Sequence, residues 1–233
     1  MKAMILSAGY GKRLRPFTAN CPKPLLKINQ ETLLSNTLKF LTKFGIKQVV
    51  VNVHYKSEMI IDYINKNKFD LDIKIINEEE KILDTGGGIL NAIDNFSNES
   101  FLVINPDTLW NLNYIDELRA MEKNFFTDKQ KCCLLVIDKS KSYDKNLKGD
   151  FNLKNSLINR SDKENLKYIY TGLQIIRSDI FSGLDSKIFS INKIWDKLIE
   201  KNELHGMASD TKFFHVSTAE IYSNLTKKNL NIV

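Results

Sequence analysis

The sequence predicts an α/β fold in which a mostly parallel β-sheet is flanked by helices. Short apolar runs rich in β-branched residues alternate with segments of helical periodicity through the first half of the chain. Such runs are typical of strands buried on both faces, and their alternation with helices is typical of the crossovers that build a parallel sheet. Apolar residues make up 42% of the 233 residues and charged residues 27%, which suits a globular protein with its own core.

The first half of the chain supplies these strands and helices in order. The predicted strands are Lys2–Leu6, Lys47–Val53, Asp72–Ile76, Phe101–Ile104 and Cys132–Ile137. The predicted helices lie between strands, with buried faces formed by Leu34, Leu38 and Leu41 before a stop at Gly45, by Met59, Ile60, Tyr63 and Ile64, and by Ile89, Ala92, Ile93 and Phe96. Because ligands bind beyond the carboxyl ends of the strands in such sheets, a site is expected in the loops after the strands.

The second half of the chain is expected to add a smaller β layer and two helices. Its predicted elements are a polar loop over Lys139–Lys148, strands over Gly149–Leu153 and Lys167–Ile176, and a helix over Asn192–Asn202. A last helix is predicted to begin near Ser217, because Ser217 and Glu220 have the spacing of a capping box. No repeat or linker interrupts the pattern, so residues 1–233 are expected to form a single domain.

Charge and cysteine content exclude several classes of protein. The net charge of +6 is carried by scattered lysines with no basic face that interleaves aromatics, so a nucleic-acid partner is not expected. The adjacent Cys132 and Cys133 lack C-x-x-C spacing and are expected as reduced thiols in or beside a buried strand. No signal peptide precedes the first strand and no apolar run reaches about 18 residues, which predicts a cytoplasmic protein without a membrane partner.

The loop after the first strand has the composition of a phosphate site. It places small residues that let backbone N–H groups approach an anion beside cations that neutralise it, namely Ala8, Gly9 and Gly11 with Lys12, Arg13 and Arg15. A polyphosphate is therefore the expected ligand of this loop. The alternative is that the loop is a turn whose basic residues only face solvent. Two well-known phosphate loops are excluded, since the P-loop pattern is absent and Leu14 occupies the position of the third glycine in G-x-G-x-x-G.

The continuation of this loop carries a resemblance to a known family. Ala8-Gly9-Tyr10-Gly11-Lys12-Arg13-Leu14-Arg15-Pro16-Phe17-Thr18, followed by Pro22-Lys23-Pro24, resembles the signature of sugar-1-phosphate nucleotidyltransferases. The resemblance implies a Rossmann-like, GT-A-like fold without the C-terminal repeat domain of many larger relatives. It also implies that Arg13 holds the triphosphate and that Lys23 contacts the reacting phosphates. A surface lysine in a turn is the alternative for Lys23.

A second match concerns the nucleobase. Asp84-Thr85-Gly86-Gly87-Gly88-Ile89 resembles the base-contacting turn of the family, in the spelling typical of N-acetylmuramate-1-phosphate uridylyltransferases and of mannose-1-phosphate guanylyltransferase-like relatives. The glycines are expected to make room for a flat base, and a flexible helix entry is the alternative. Glu78 matches an acidic nucleotide-binding position upstream of the turn, although it could also be a solvated carboxylate.

Further matches predict the metal and sugar positions. Asn105-Pro106-Asp107 ends a strongly apolar strand and resembles the N-G-D of the family, whose Asp ligates Mg²⁺. Sugar contacts are implied for Asn105, for Asp150 in Gly149-Asp150-Phe151, and for Gly172 and Gln174 in Thr171-Gly172-Leu173-Gln174. A turn or strand-pairing role is the alternative for the last three.

One element departs from the family pattern. Where relatives have an Asp-Val-Gly-Thr element with a second metal-ligating Asp, this chain has Phe213-Phe214-His215-Val216-Ser217-Thr218. A neutral imidazole suits softer divalent ions better than Mg²⁺. His215 could therefore contact phosphate, bind another metal or be structural, and the sequence leaves these three options open.

The resemblance implies transfer of a nucleotidyl group from an NTP to a sugar 1-phosphate with release of pyrophosphate and with Mg²⁺ as cofactor. The favoured substrates are UTP and N-acetylmuramate 1-phosphate, in cell-wall recycling. The alternatives are a guanylyl- or thymidylyltransferase for a hexose 1-phosphate, a phosphocholine cytidylyltransferase, and a catalytically silent nucleotide-sugar-binding subunit. No oligomeric state is implied.

Overall fold

The computed structural model of the protein describes residues 1–78, 80–184, 187–230 and 232–233. Its strands are β1 (Lys2–Leu6), β2 (Lys27–Ile28), β3 (Glu31–Thr32), β4 (Gln48–Val53), β5 (Asp72–Asn77), β6 (Ser100–Ile104), β7 (Cys132–Asp138), β8 (Asn152–Lys154), β9 (Leu157–Asn159), β10 (Tyr168–Arg177) and β11 (Leu204–Ser209). Its helices are α1 (Leu33–Phe44), α2 (Ser57–Lys66), α3 (Asp84–Ala92), α4 (Asn113–Thr127), α5 (Asn192–Glu200) and α6 (Ala219–Thr226).

The described strands form a mixed sheet in the order β5-β4-β1-β6-β10-β7-β11-β9-β8. β1 pairs in parallel with β4 and β6, β4 with β5, and β7 with β11, whereas β10 runs antiparallel between β6 and β7. The predicted α/β fold, with a mostly parallel sheet flanked by helices, is confirmed. The five strands predicted for the first half agree with β1, β4, β5, β6 and β7 to within one residue at each end.

The smaller additional β layer was wrongly placed. The strand predicted over Lys167–Ile176 is β10, which lies in the middle of the main sheet, and the segment predicted over Gly149–Leu153 leads into β8 at the edge of the same sheet. β10 is almost entirely buried because it pairs on both sides. The separate ladder in the structure is instead the short β2–β3 pair.

Alternating residues of the strands face two apolar layers. Ala3 and Ile5 of β1 pack on one side with α1, α2 and α4, whereas Met4 packs on the other side with α3 and α5. This alternation is the period-two pattern of a strand covered on both faces. The sheet is thus held between two helical layers, and its carboxyl edge is left to the loops.

Helix details correct three expectations. Met59 is 41% exposed, so the buried face of α2 is formed by Ile60 and Ile64 without it. α5 ends at Glu200, two residues before the predicted end. The cap of α6 is Thr218, whose Oγ1 accepts a hydrogen bond from the N–H of Ile221, because Ser217 instead donates its hydroxyl to the carboxylate of Asp144.

The cysteines and the helix lengths agree with the sequence expectations. Cys132 and Cys133 are buried free thiols in β7, and Cys21 is also a free thiol. Among the helices of the described residues, none combines the length and apolar character needed to cross a bilayer.

Candidate active site

A cleft of about 400 Å³ opens at the carboxyl edge of the sheet. The loop after β1 forms one wall, and the ends of β4 and β6 and the entry to α3 form the others. The residues that line this cleft include eight of the predicted site residues, namely Ala8, Gly9, Gly11, Arg13, Lys23, Thr85, Asn105 and Asp107. The structure therefore brings together residues that are up to 99 positions apart in the sequence, from Ala8 to Asp107.

A second cavity of about 270 Å³ adjoins the first. The two share Leu6, Asp84, Thr85 and Asn105 in their linings. The second cavity also contains two predicted sugar-binding residues, Asp150 and Gln174, together with Arg160, Tyr170 and Trp195. A nucleotide half and a sugar half of one site can therefore lie side by side.

The loop after β1 presents backbone to the cleft. Gly11 has φ +61°, a conformation that favours glycine, and its carbonyl accepts a hydrogen bond from Thr18 Oγ1 at 2.8 Å. No atom lies within 4 Å of the position that a Cβ on Gly9 would take. Arg13 is exposed in the cleft wall and makes no hydrogen bond or ion pair with the described residues, whereas Arg15 does not line the cleft. The loop thus offers an open backbone surface with an unpaired guanidinium beside it.

We expect Gly9→Ala to weaken nucleotide binding at least tenfold while leaving the melting temperature within about 2 °C of wild type. The added methyl group meets no protein atom, so the fold should tolerate it, but it would occupy the space through which the expected phosphate would approach the backbone. Calorimetric titration with an NTP and a thermal melt measure the two quantities.

Gly45→Ala is the matched control for this glycine. Gly45 has φ +106° at the end of α1, so alanine there is strained and is expected to lower the free energy of unfolding by about 1 kcal/mol without changing nucleotide affinity. Unchanged affinity in Gly9→Ala would show that this backbone does not approach the phosphates.

Lys23 and Asp107 form an ion pair at the floor of the cleft. Lys23 Nζ lies 2.5 Å from Asp107 Oδ2, and the two side chains are 13% and 17% exposed. Lys23 is presented from a short 3₁₀ turn, Lys23–Leu25, that Pro22 and Pro24 stiffen. Both charges are therefore fixed at the point where the loop after β1 meets the end of β6.

His215 adjoins this ion pair from the other side. His215 Nδ1 lies 3.6 Å from Asp107 Oδ1, and the imidazole stacks on Phe213. The segment that carries it pairs with the Asp107 loop, since the N–H of Val216 donates to Asp107 O at 2.8 Å and that of Leu109 to Phe214 O at 2.8 Å. His215 thus occupies the neighbourhood in which the sequence placed a second metal ligand.

The protonation states follow from burial and from neighbouring charge. Burial is the largest single influence on Asp107 and would raise its pKa, but the adjacent Lys23 ammonium, His215 and hydrogen bonds to the carboxylate together outweigh burial, and the pKa falls from 3.8 to about 2. Burial lowers the pKa of His215 from 6.5 to about 4, against the attraction of Asp107. At neutral pH, Asp107 is therefore a carboxylate and His215 is a neutral imidazole, so their contact is not an ion pair.

The donor set at Asp107 fits a divalent cation. Asp107 Oδ1 and His215 Nδ1 are both buried and both lack a hydrogen-bond partner among the described residues. An unpartnered carboxylate oxygen beside a phosphate-sized cleft suits Mg²⁺, which is commonly held by one or two carboxylates together with substrate phosphates. The described part of the chain has no group of three or more acidic, His or Cys side chains that could hold a metal ion, so water molecules and substrate oxygens would complete such a site.

Glu78 lies beneath the cleft rather than in its lining. Its Oε1 accepts a hydrogen bond from Asn52 Nδ2 at 2.6 Å, and its Oε2 accepts one from the N–H of Leu83 at 2.8 Å. Asn52 Oδ1 in turn accepts from the N–H of Ser7 at 2.9 Å. The buried carboxylate therefore ties the ends of β1, β4 and β5 to the entry of α3, and its assignment to the nucleotide stays a prediction.

The glycines that open α3 are packed against protein. A Cβ on Gly86 would lie 2.4 Å from the Phe189 ring, one on Gly87 2.2 Å from Lys187 O, and one on Gly88 2.7 Å from Glu78 Oε1. Their small size is thus required by the neighbouring segment and by Glu78, and the space expected for a base is filled by protein at these positions. Asp84 and Thr85 are the residues of this turn that face the cleft.

The predicted sugar residues are distributed between the lining and its support. Gln174 is fixed by Trp195 Nε1, which donates to its Oε1 at 2.9 Å, and Asp150 Oδ2 accepts from the N–H of Tyr170 at 2.8 Å. Burial raises the pKa of Asp150, although the Tyr170 N–H opposes the shift. Gly172 does not line either cavity: it has φ +89° and its carbonyl accepts from the N–H of Asn105 at 2.7 Å.

Sequence reasoning missed several lining residues, among them Asn52, Asp84, Arg160 and Trp195. Asn52 gave a signal, because a polar residue inside the apolar run Gln48–Val53 is unusual for a strand covered on both faces. Asp84 was seen as part of the turn but was not assigned to the site. Nothing in the sequence around Arg160 or Trp195 distinguishes them from structural residues.

Comparison with known proteins decides the family. The family model described as Nucleotidyl transferase matches residues 2–145 of the chain. The chain belongs to this family. The resemblance drawn from the glycine-basic loop is thus confirmed, and this nucleotidyl transferase is an enzyme of the sugar-1-phosphate nucleotidyltransferase class.

Relatives of the nucleotidyl transferase cover nearly all of its length. It is 26% identical over 219 residues to an N-acetylmuramate alpha-1-phosphate uridylyltransferase of Caulobacter vibrioides, covering 92% of this chain and 90% of the relative. It is 28% identical over 233 residues to a D-glycero-alpha-D-manno-heptose 1-phosphate guanylyltransferase of Campylobacter jejuni, covering 98% and 100%. Relatives with different nucleobases therefore match it about equally well.

Solved structures agree on the fold. The crystal structure of HddC from Yersinia pseudotuberculosis superposes with a TM-score of 0.77 at 21% identity, covering 97% of this chain and 98% of that one. A putative glucose-1-phosphate thymidylyltransferase from Bacillus anthracis gives a TM-score of 0.78 at 18% identity, with coverage of 99% and 96%. The architecture is thus that of nucleotidyltransferases from one end of the chain to the other.

Proposed function

We propose that the protein joins UTP and N-acetylmuramate 1-phosphate to give a UDP-sugar and pyrophosphate. The observation that carries the proposal is the Lys23–Asp107 ion pair in the cleft that faces the phosphate-type loop and adjoins the second cavity. Two anions would meet beside this pair, one held by the loop and the other entering from the sugar half. An oxygen of the sugar phosphate would attack the α-phosphorus in line, and pyrophosphate would leave.

The residues of the chain act by position and charge. Gly9, Gly11 and Arg13 hold the β- and γ-phosphates, which become the leaving pyrophosphate. Lys23 neutralises charge where the attacking phosphate meets the α-phosphate, and its ammonium, which donates one N–H to Asp107, has two further N–H donors for phosphate oxygens. No protein nucleophile is required, because the attacking phosphate is already ionised, so catalysis rests on alignment and electrostatic stabilisation.

The family generally uses a divalent metal, and we propose Mg²⁺ held by Asp107, with His215 as a candidate second ligand. Bound at that position, the ion would neutralise charge on the α-phosphate and favour its reaction. The orphaned Asp107 Oδ1 supports this assignment. His215 supports it less strongly, because a neutral imidazole is a weaker ligand for Mg²⁺ than a carboxylate is.

The choice of UTP and of the sugar rests on the Caulobacter relative, because the spelling of the turn at Asp84–Gly88 is shared by uridylyl- and guanylyltransferases. The Campylobacter relative supports a guanylyltransferase as the second candidate. We further propose a single nucleotidyltransferase domain over residues 1–233, a cytoplasmic location and a role in peptidoglycan recycling. Each of these follows from the proposed substrates and from the sequence expectations.

One assay tests the proposal. The protein is incubated with Mg²⁺, each of the four NTPs and a panel of sugar 1-phosphates, and pyrophosphate release is measured. The expected result is release with UTP and N-acetylmuramate 1-phosphate at least tenfold above any other pair. Greatest activity with GTP and a hexose or heptose 1-phosphate would favour the second candidate. Ligand binding by calorimetry without pyrophosphate release, whatever the divalent metal, would point to a silent binding subunit.

A further inference from the structure

Arg160 is the cationic side chain in the lining of the second cavity, as far as the described residues show. It follows β9, and its side chain is 25% exposed. The carboxylate side chains in the same lining are those of Asp84 and Asp150. The sugar half therefore combines two carboxylates, which suit hydroxyl groups as acceptors, with a single guanidinium, which suits an anion.

The guanidinium is held rigidly by its surroundings. Arg160 Nε donates to Asp150 O at 3.3 Å, Nη2 donates to Asn192 Oδ1 at 2.5 Å, and Nη1 forms an ion pair with Asp196. The guanidinium also lies over the Phe151 ring, 4.5 Å from its centroid. Asn192 and Asp196 are one turn apart on α5, so the helix fixes the orientation of the Arg160 guanidinium.

These contacts leave hydrogen-bonding capacity unused. A guanidinium carries five N–H donors, and three of them are used by the described residues. One N–H on each terminal nitrogen remains, which is the number that a carboxylate accepts in a bidentate pair. Because the fork is already fixed, binding such a group costs little ordering of the side chain.

Gln174 adds a second donor to the same cavity. Its Oε1 accepts from Trp195 Nε1 at 2.9 Å and from Cys132 Sγ at 3.4 Å, so its amide orientation is determined. Its Nε2 makes no hydrogen bond to the described residues and is therefore available to an oxygen of a ligand. Arg160 and Gln174 thus both line the cavity and both have unused N–H donors.

Resting on the function proposed above, we infer that Arg160 determines specificity for a sugar 1-phosphate that carries a carboxylate substituent. A carboxylate fits better than a second phosphate for an electrostatic reason. Asp196 already neutralises much of the Arg160 charge, and Asp84 and Asp150 line the same cavity, so a dianion would be repelled where a monoanion is accepted.

The test compares a sugar 1-phosphate that carries a carboxylate with its methyl ester, in which that group is neutral. Wild type and Arg160→Gln are assayed for pyrophosphate release with UTP and either N-acetylmuramate 1-phosphate or its methyl ester, which lacks the negative charge on the lactyl group. Wild type is expected to favour the acid over the ester by 10- to 100-fold in kcat/KM, in line with a charge-assisted hydrogen bond. In Arg160→Gln the ratio is expected to fall towards one, with kcat/KM for the ester within about threefold of wild type.

Arg177→Gln is the matched control, because Arg177 is paired with Asp179 and does not line either cavity. It should leave the acid-to-ester ratio unchanged. A purely structural Arg160 would lower kcat/KM for acid and ester equally, together with the melting temperature, and that result would overturn the inference. So would a wild-type ratio near one, or a stronger preference for a sugar bisphosphate.

The failure of the proposed function has a different signature. If wild type releases no pyrophosphate with any sugar 1-phosphate, the proposed reaction is wrong, whereas equal turnover of acid and ester refutes only the role of Arg160. In the first case, calorimetric titration of both sugars into wild type and Arg160→Gln still measures the preference. Tighter binding of the acid that is lost in Arg160→Gln would support the inference, and equal binding would overturn it.

Discussion

Replacing Lys23 by alanine is expected to slow pyrophosphate release by a factor on the order of 10²–10³. Lys23 is the cation that lies against Asp107 in the cleft, at 2.5 Å, and its charge has no substitute among the residues that touch Asp107. Its loss should lower kcat more than it raises KM, because the charge that it offsets is greatest when the two phosphates meet. Steady-state kinetics with saturating NTP measures this difference.

Stability must be measured alongside the kinetics. Lys23→Ala leaves a largely buried carboxylate without its counter-ion, so we expect the free energy of unfolding to fall by about 1–3 kcal/mol. Lys27→Ala is the matched control, since Lys27 is exposed in β2 and outside the cleft. If folded Lys23→Ala kept turnover close to that of Lys27→Ala, the proposed role of Lys23 would be wrong.

Asp107→Asn is expected to reduce turnover by a similar factor and to remove the effect of Mg²⁺ on nucleotide binding. Asparagine keeps the shape of the side chain but loses the negative charge that a hard cation requires. Calorimetric titration with UTP should show tighter binding in the presence of Mg²⁺ for wild type and no such gain for the variant. We expect Mg²⁺ to tighten UTP binding in wild type because Asp107 Oδ1 is buried and has no hydrogen-bond partner among the described residues.

Asp62→Asn serves as the control for this variant. Asp62 is exposed on α2, where it pairs with Lys66 away from the cleft. It should behave as wild type in both turnover and the Mg²⁺ effect. An Asp107→Asn protein that still binds UTP more tightly with Mg²⁺ would place the metal elsewhere in the site.

Local features of the fold were predictable because they depend on neighbours in sequence. The strand Lys2–Leu6 and the helix stop at Gly45 follow from residue type and periodicity alone, and the structure has both as predicted. The predicted α/β fold indicated the carboxyl edge of the sheet as the place of the site, and the resemblance of the glycine loop to a known family then indicated which residues lie there. The cleft contains most of the residues expected there.

Features that depend on distant partners were not predictable. The place of β10 is decided by its pairing with β6 and β7, and an apolar run has the same appearance in any buried strand. The burial of Glu78 was not predictable either, because a run of acidic residues does not reveal that one of them is buried against Asn52. Arg160 becomes notable only through Asp196, Asn192 and Phe151, which lie on other elements.

The central position of β10 has a consequence for biosynthesis. Because the chain is synthesised from the N-terminus, β1, β4, β5 and β6 can pair with one another first. Both neighbours of β7, which are β10 and β11, come later in the sequence. The loop that carries Asp107 also depends on β10. The Asn105 N–H donates to Gly172 O at 2.7 Å, and the Thr108 hydroxyl donates to Thr171 O at 2.7 Å.

A nascent chain that has reached only residue 145, the end of the family match, therefore has the loop after β1 without the β10 contacts that hold the Asp107 loop. We therefore expect the cleft to be completed late in synthesis, when β10 inserts and the segment around Val216 pairs with the Asp107 loop.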